Sequence, residues 1–345
     1  MTTENTAAVP ALAPEAYLIQ LGFGPLIAQA LFVAARLGIA DHLADGPLPV
    51  SELAARTQTH ERSLYRILRS LASVGVFAES NPGVFQLNPV AEMLRSDVPG
   101  SMRNGIIFMG ESWHWQAWGD TQYSVKTGKP SWDQVHGAAV FDYFGAHPDA
   151  AEIFNLAMTD MSMAQAPAVV QSYDFSGFTT LADIAGGHGY LLAQILKANP
   201  NLKGILFDVP SVIEGAGALL EREGVAARVE KASGDFFEAV PAGADAYIMK
   251  HIIHDWDDER ATKILRSIQA AMPDDGKVLI VDTVVPPGNE PHYSKLLDLE
   301  MLTLPGGVER TADEFRELLA AAGLRLTRII PTPSPMSIIE AVKAK

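Results

Sequence analysis

The segment LADIAGGHGYLLAQIL contains an acidic residue followed by a glycine-rich turn. This combination is typical of a loop that binds a nucleotide-like ligand. Asp183 ends an apolar run, and Gly186, Gly187 and Gly189 precede a helical pattern. Glycine lets a backbone approach a ligand without interference from a Cβ atom. Asp208 ends the next apolar run, where a carboxylate can bind both ribose hydroxyls of an adenosine. The pattern therefore predicts a site for an adenosine-containing cofactor.

Two further features separate the cofactors that share this pattern. In the dinucleotide pattern G-x-G-x-x-G the third glycine would fall on Leu192, which disfavours NAD relative to S-adenosylmethionine. Asp235 and Phe236 follow the third apolar run, and an acid beside an aromatic ring can bind an adenine amino group and cover the ring. A simple turn role for Asp235 is the alternative.

The segment HIIHDWDDE raises the question of a metal ion, because His251 and His254 are three residues apart and Asp255 follows. That spacing fits one helical face, but a zinc site needs three or four protein ligands. No further histidine lies nearby, and the chain has no cysteine, which also excludes disulfides and a thiol nucleophile. We expect no metal site.

The elements that carry these residues begin at Thr179, where apolar runs alternate with helical segments. Five strand–helix units are followed by two strands with little between them except Pro331, Pro333 and Pro335. This order predicts an α/β fold with a mostly parallel sheet whose last strand is antiparallel. A domain boundary is expected within residues 174–178.

The first hundred residues predict short helices and a hairpin. One helix is expected to begin at Ser51 and a second after His60, and Asn81-Pro82-Gly83 marks the hairpin turn. Helix, turn, helix and hairpin form the winged-helix pattern, which in many proteins binds DNA. These residues hold six Arg, no Lys and nine acidic side chains, a net charge of −3. A structural or dimerising role is therefore favoured over DNA binding.

The apolar stretch from Tyr17 to Ala40 contains Gly22, Gly24 and Pro25, so a buried helix is predicted rather than a membrane span. The first fifteen residues are rich in Ala and Pro and are predicted to be disordered. They show no basic segment ahead of an apolar one, so no signal peptide is expected and a cytoplasmic location is predicted.

Residues 103–171 are predicted to be helical and rich in large side chains. Phe154, Met158 and Met161 suit an adaptable pocket for a flat apolar ligand, with ordinary core packing as the alternative. The whole chain of 345 residues has 26 basic and 41 acidic side chains, a net charge of −15. That charge disfavours nucleic acid and anionic membranes as partners.

Four segments in order, DIAGGHG, GDFF, HIIHDWDDE and PGGVERT, give the chain a family resemblance. It resembles the class I S-adenosylmethionine-dependent O-methyltransferases of the plant caffeate/isoflavone type and their bacterial polyketide and phenazine relatives. The resemblance covers nearly the whole chain. It implies a homodimer with a winged-helix dimerisation domain (1–100), a helical linker contributing to the substrate pocket (101–175) and a seven-stranded Rossmann-like catalytic domain (176–345). Ala185 stands where the family's D-x-G-G-G-x-G loop has its first glycine.

Carried over by position, the resemblance implies His254 as the general base, with Asp282 and Glu309 as its acidic partners. It also implies S-adenosylmethionine as cofactor. The expected cofactor-binding residues are Asp183, Gly186, Gly187, Gly189, Asp208, Gly234, Asp235, Phe236 and Lys250.

The chemistry suits these residue types. A phenol has a pKa of about 10, so a base is useful at neutral pH, and a histidine with a pKa of about 6.5 can take the proton. A carboxylate on the other ring nitrogen fixes the tautomer. We therefore predict methylation of a hydroxyl on a small aromatic specialised metabolite. The alternatives are a relative with a divergent reaction, such as hydroxylation or decarboxylation, and an NAD-dependent dehydrogenase.

Overall fold

A computed structural model describes residues 12–345 of the chain. Most of the segment predicted to be disordered lies outside the described residues, but Pro14 and Glu15 already belong to the first helix. The chain divides into two compact units. One consists of Met1–Gly119 with His147–Ala164, and the other of Asp120–Ala146 with Gln165–Lys345.

The first unit is mainly helical. Its opening helices, α1 to α8, are Pro14–Gly22, Gly24–Arg36, Ile39–His42, Val50–Thr57, Glu61–Ser73, Pro89–Glu92, Arg103–Gly110 and Ser112–Gly119. Its strands, β1 to β3, are Leu48–Pro49, Ala78–Asn81 and Val84–Gln86, and they form a small antiparallel sheet in the order β1-β3-β2.

The predicted helix–helix–hairpin segment is present between α4 and β3. The hairpin turns at the expected residues, and His60 caps α5 by accepting a hydrogen bond from the Ser63 backbone N–H. The prediction that Ser51 starts α4 is wrong, because the helix begins at Val50 and Pro49 holds the cap position. Leu53, Leu68 and Phe85 lie in the core of this segment.

The N-terminal helices are much less buried than the sequence suggests. Leu18, Ile19, Phe23 and Leu26 are all exposed, and helix α1 has no buried residue. The expected buried helix is wrong for this part of the chain, because α2 buries only small residues such as Ala30. By length and composition, Pro14–Arg36 would also be long and apolar enough to cross a membrane, with a mean hydropathy of 1.8.

Four helices connect the N-terminal segment to the main sheet. Helices α9 to α11 are Thr121–Thr127, Ser131–His136 and Val140–Ala146, and α12 is Pro148–Ser172. Helix α12 contains Pro167 within its span, and its last eight residues belong to the second unit.

The second unit is built on a seven-stranded sheet with two antiparallel pairings. Strands β4 to β10 are Thr180–Ile184, Lys203–Asp208, Val229–Ser233, Ala246–Lys250, Lys277–Asp282, Leu324–Pro331 and Ser337–Lys343. Helices α13 to α17 are Tyr190–Ala198, Pro210–Arg222, Asp258–Ala271, Tyr293–Thr303 and Ala312–Ala321. The strand order is β6-β5-β4-β7-β8-β10-β9. The parallel strands and the reversed β10 confirm the predicted sheet.

Both faces of this sheet are buried, which explains why its strands are almost continuously apolar. Ala182 and Ile184 point into one core, and Leu181 on the same strand points into the other. Residues of α15 and α17 fill the first core, and residues of α13 and α14 fill the second. The carboxyl ends of the parallel strands meet at one edge of the sheet, where a ligand site forms in such sheets.

Candidate active site

The loop between β4 and α13 has the backbone of a ligand-binding turn. Gly187 and Gly189 adopt positive φ angles of 60° and 83°. A Cβ atom on Gly186 would lie 2.6 Å from the Asp183 carboxyl carbon, so only glycine fits there. A Cβ atom on Gly187 would meet no atom within 4 Å, and its backbone N–H donates to Asp208 Oδ2 at 2.8 Å. The loop thus leaves open space directly beside the Asp208 carboxylate.

Ala185, the residue that departs from the family's loop, also has a positive φ, of 54°. This left-handed conformation costs an alanine about 1 kcal/mol relative to a glycine. The loop therefore keeps the shape that glycine would give, under local strain.

Three titratable residues lie at the ends of β4, β7 and β8, and Asp183 and Asp282 among them are buried while Lys250 is partly buried. Burial raises the pKa of Asp183 to about 7, against the opposing effect of Lys250. Burial likewise lowers the pKa of Lys250 to about 8, although Asp183 and Asp282 favour its charged form. Asp183 Oδ2 is buried and has no hydrogen-bond partner among the described residues. A buried carboxylate oxygen without a partner at a strand end is a position for a ligand donor group.

Several aromatic side chains surround the loop after β6. Gly234 packs against the Phe207 ring, and Asp235 Oδ1 accepts a hydrogen bond from the Phe237 backbone at 2.8 Å. The Phe236 and Phe237 rings stand edge-on to Trp256, with centroids 6.0 and 4.9 Å away. Phe237 and Trp256 were not among the predicted site residues, although they adjoin Phe236 and Asp255 in the sequence.

The arrangement at these strand ends fits the expected S-adenosylmethionine. Asp183 and Asp208 lie at the carboxyl ends of the neighbouring strands β4 and β5, and Asp235 follows the next strand, β6. The open space beside Gly187 and the unpaired Asp183 oxygen supply room and an acceptor for a ligand.

His254 lies in a 3₁₀ turn, Ile253–Asp255, which the residues His251 and Ile252 separate from the end of β7. Its Nδ1 is 2.5 Å from Glu309 Oε1, and both side chains are buried. The other carboxylate oxygen of Glu309 accepts a hydrogen bond from the Thr283 hydroxyl. The backbone N–H of Glu309 donates to the Asp298 carboxylate. Because Nδ1 is occupied by the carboxylate, Nε2 is the ring nitrogen left to exchange a proton.

Close contact between two loops creates this pair. Val308 N–H donates to the His254 carbonyl at 2.9 Å. A Cβ atom on Gly307 would overlap that same carbonyl and lie 2.7 Å from Trp256 N. The buried Arg310 guanidinium donates to the carbonyls of Ile253 and Trp256, which fastens the Glu309 loop to the His254 turn. Glycine at 307 therefore sets the distance between His254 and Glu309.

The electrostatics of the site favour a proton on His254. Burial alone opposes the imidazolium, but the charges of Asp255 and Asp282 and the Glu309 hydrogen bond raise the pKa of His254 to about 9. Asp255 Oδ1 lies 3.5 Å from Nε2. This pKa is well above the ordinary histidine value of about 6.5, because carboxylates surround the ring.

Asp282, the second acidic partner that the resemblance implies for His254, lies near the imidazole but forms its hydrogen bond with a different group. Its Oδ1 accepts a hydrogen bond from the His251 backbone N–H at 3.0 Å, and Oδ2 is buried without a partner in residues 12–345. No hydrogen bond in that range joins it to His254, on which it acts through charge. Burial raises the pKa of Asp282 to about 7, against the effect of His254.

The structure also brings the residues considered for a metal ion together. One ligand atom each of His251, His254 and Asp282 lies within 4.8 Å of the others. Glu309 already occupies Nδ1 of His254. The absence of a resident metal stays a prediction.

The three residues predicted to contact the substrate lie on the part of α12 that belongs to the first unit. Phe154, Met158 and Met161 are half-buried, and the Phe154 ring is 5.6 Å from that of Phe108. Gln165, on the part of α12 in the second unit, was not predicted. It lies 86 residues before His251, with which it forms a hydrogen bond, and no motif marks it.

Comparison with known proteins shows the family to which the chain belongs. Residues 118–325 match the family model of an O-methyltransferase domain, and residues 19–97 match that of an O-methyltransferase dimerisation domain. The chain is 47% identical to the phenazine O-methyltransferase of Lysobacter antibioticus over 341 residues, 99% of each chain. It is 39% identical to the mitomycin biosynthesis 6-O-methyltransferase of Streptomyces lavendulae over 346 residues, again 99% of each chain.

A solved structure extends the likeness to the cofactor. The S-adenosylhomocysteine-bound form of a methyltransferase in calicheamicin biosynthesis superposes with a TM-score of 0.86 at 36% identity, covering 98% of this chain and 100% of that one. The family and the fold expected from the sequence motifs are thereby confirmed. The chain belongs to the O-methyltransferase family and uses S-adenosylmethionine as its methyl donor.

Proposed function

We propose that this O-methyltransferase methylates a hydroxyl group of a small aromatic specialised metabolite, with His254 as the general base. The observation that carries the proposal is the buried His254–Glu309 pair at the sheet edge, 2.5 Å between Nδ1 and Oε1. The named activity of the phenazine relative, 47% identical over nearly all of both chains, supports an aromatic acceptor.

Each residue of the pair has a defined task. Glu309 holds the Nδ1 proton and the ring orientation, so that Nε2 of His254 takes the proton as the O–H bond of the acceptor breaks and the new O–CH₃ bond forms. Bound S-adenosylmethionine would supply the electrophilic methyl group, whose bond to sulfur breaks and leaves S-adenosylhomocysteine. The carboxylates that raise the pKa of His254 make its neutral form a stronger base and reduce the neutral fraction below about pH 9. Asp282 adds negative charge beside the imidazolium.

We assign the cofactor to the carboxyl edge of the sheet. Asp183, Asp208 and Asp235 are the acceptors for its hydroxyl and amino groups, and Phe236 covers the adenine face. Gly186, Gly187, Gly189 and Gly234 allow close backbone approach, and Lys250 balances the buried charge of Asp183. For the acceptor we keep Phe154, Met158 and Met161, on the basis of their side-chain types.

The wider organisation is proposed on the same footing. Residues 1–100 form the dimerisation domain, residues 101–175 a helical linker that contributes to the acceptor pocket, and residues 176–345 the catalytic domain. The exposed apolar side chains of α1 and α2 are to be covered in a homodimer. The enzyme is placed in the cytoplasm, and its charge of −15 disfavours nucleic acid and anionic membranes as partners.

The test is incubation with isotopically labelled S-adenosylmethionine and a panel of phenolic, naphtholic and phenazine acceptors, scored by mass spectrometry. We expect a mass gain of one methyl group on at least one hydroxylated ring. A hydroxylated or decarboxylated product without label would favour the divergent alternative. Heat on binding NAD but none with S-adenosylmethionine would contradict the cofactor assignment.

A further inference from the structure

A second histidine, His251, lies beside the proposed base without a part in the scheme above. Its ring is buried, and its centroid is 4.9 Å from that of His254. Its backbone has a φ of 56°, an uncommon conformation for a residue with a side chain. Two hydrogen bonds from its N–H hold this conformation, to Val281 O at 3.2 Å and to Asp282 Oδ1 at 3.0 Å. A strained backbone fixed by its surroundings is characteristic of functional positions.

Gln165 fixes the His251 ring. The two buried side chains meet at 3.0 Å between Nε2 and Oε1. Because a carbonyl oxygen only accepts, Nε2 donates, and Nδ1 of the neutral ring is left as an acceptor. Burial, with the charges of Lys250 and His254, holds the pKa of His251 well below its usual range, so the ring is neutral.

Asp282 adds a second acceptor at the same place. Its Oδ2 is buried and unpartnered in the described part of the chain. Ligand atoms of Asp282, His251 and His254 lie within 4.8 Å of one another, close enough for one small polar group to reach all three. A buried carboxylate oxygen without a donor is unfavourable unless a ligand or water supplies one.

We propose that His251 and Asp282 form a subsite for a hydrogen-bond donor on the acceptor ring, an O–H or N–H group next to the hydroxyl that is methylated. The inference rests on the proposed function, since the subsite adjoins His254. Two acceptors that lie close to one another bind a donor and reject a neighbour that only accepts, such as a methoxy group. The enzyme thus selects vicinal diols and aminophenols of aromatic rings. Gln165 is a positioning residue, acting through His251.

Three acceptors on one scaffold test the selection: 2,3-dihydroxynaphthalene, 2-naphthol and 3-methoxy-2-naphthol, with S-adenosylmethionine at pH 8.5. Corrected for its two equivalent hydroxyls, the diol should exceed 2-naphthol in kcat/KM by about 10- to 100-fold, the value of a hydrogen bond to a charged group. The methoxy compound should fall below 2-naphthol. Calorimetry of the same ligands with S-adenosylhomocysteine present should show the same order of affinity.

Three variants test whether the subsite residues cause the preference for the diol. His251→Phe, Asp282→Asn and Gln165→Met should each bring the diol-to-naphthol ratio towards one, in kcat/KM and in affinity. Gln194→Met is the matched control, because Gln194 bonds Glu223 away from the site, and its ratio should equal that of the wild type. Since the ratio cancels losses common to both acceptors, general damage to the fold does not imitate the result.

Failure of the inference and failure of the proposed function have different signatures. Methylation of all three acceptors at similar rates, or a diol preference that survives in every variant, would overturn the subsite and leave the methyltransferase proposal intact. Absence of methylation on any aromatic acceptor would overturn the proposed function. In that case, equal affinities of diol and naphthol in calorimetry would overturn the subsite as well.

Discussion

At the scale of single residues, the proton balance of His254 decides how the site works. An imidazole with a pKa of about 9 is mostly protonated at neutral pH, so the base is strong but scarce. Glu309 contacts the ring directly, whereas Asp282 and Asp255 act through their charges. Different variants of these residues therefore have different expected effects.

Replacing His254 with alanine removes the proton acceptor. His254→Ala should lower turnover on an unactivated phenol by about 10²- to 10⁴-fold, the usual value of positioned proton transfer. Calorimetry should show S-adenosylmethionine affinity nearly unchanged, because the imidazole is assigned to the acceptor side. On a nitrophenol, which is already ionised at neutral pH, the turnover of the variant should fall much less. Unchanged turnover of the variant on phenol at pH 7 would end the general-base assignment.

The pH profile tests the charge balance. For the wild type, kcat/KM on phenol should rise with pH and level off near pH 9, because only the neutral imidazole accepts a proton and its pKa is raised. Glu309→Gln removes a hydrogen bond and a negative charge that favour the imidazolium, so the rise should move to lower pH. The plateau should fall, since the base becomes weaker. A rise near pH 6.5 in both enzymes would show that the carboxylates do not act on His254.

The sequence predicted which residues belong to the site better than it predicted their hydrogen-bond partners. His254 and Glu309 follow from motifs, and the structure joins them. The hydrogen bond of Asp282 to the His251 backbone depends on a positive φ that no side-chain pattern encodes. Gln165 comes from a distant helix, and only the fold brings it to His251.

At the scale of elements, the loop from Leu304 to Arg310 must approach the His254 turn very closely. Gly307→Ala would place a methyl group on the His254 carbonyl and push Glu309 away. A displacement of about 1 Å can cost about 10²-fold in rate. We expect kcat to fall by 10- to 100-fold and the pH rise to move downward, as in Glu309→Gln, with cofactor affinity retained in calorimetry.

Gly177→Ala is the control for this variant, because its Cβ would meet no atom within 4 Å and its φ is not positive. Its kcat and melting temperature should match those of the wild type. A Gly307→Ala enzyme with full activity would show that the loop can move away without loss of the His254–Glu309 pair.

The strands themselves were predictable because buried parallel strands are long apolar runs. The lateral order was not. Strand β10 lies between β8 and β9, pairing antiparallel with both. The short connection between β9 and β10 requires them to be antiparallel, but it does not state which of the two reaches β8.

At the scale of the whole molecule, several apolar side chains of the first two helices are exposed, because no other part of residues 12–345 covers them. The apolar stretch predicted a buried helix here, but a pattern of apolar residues does not state whether the same chain or another one covers them. Residues 19–97 match a dimerisation domain, which includes most of this exposed surface.

The exposed apolar surface of α1 and α2 predicts a stable dimer that depends on it. Leu18 and Leu26 are 68% and 63% exposed in the single chain, and burying such side chains is worth about 1.5–3 kcal/mol each. Multi-angle light scattering should give the wild type twice the mass of one chain at micromolar concentration. The double variant Leu18→Glu/Leu26→Glu should sediment as a monomer, because burying two carboxylates in each subunit opposes association. Val125→Glu, a change at a side chain 73% exposed on α9, should remain a dimer.

A monomeric wild type would contradict the prediction, as would a double variant that still dimerises with wild-type affinity. In the second case the interface must lie on another surface of the chain.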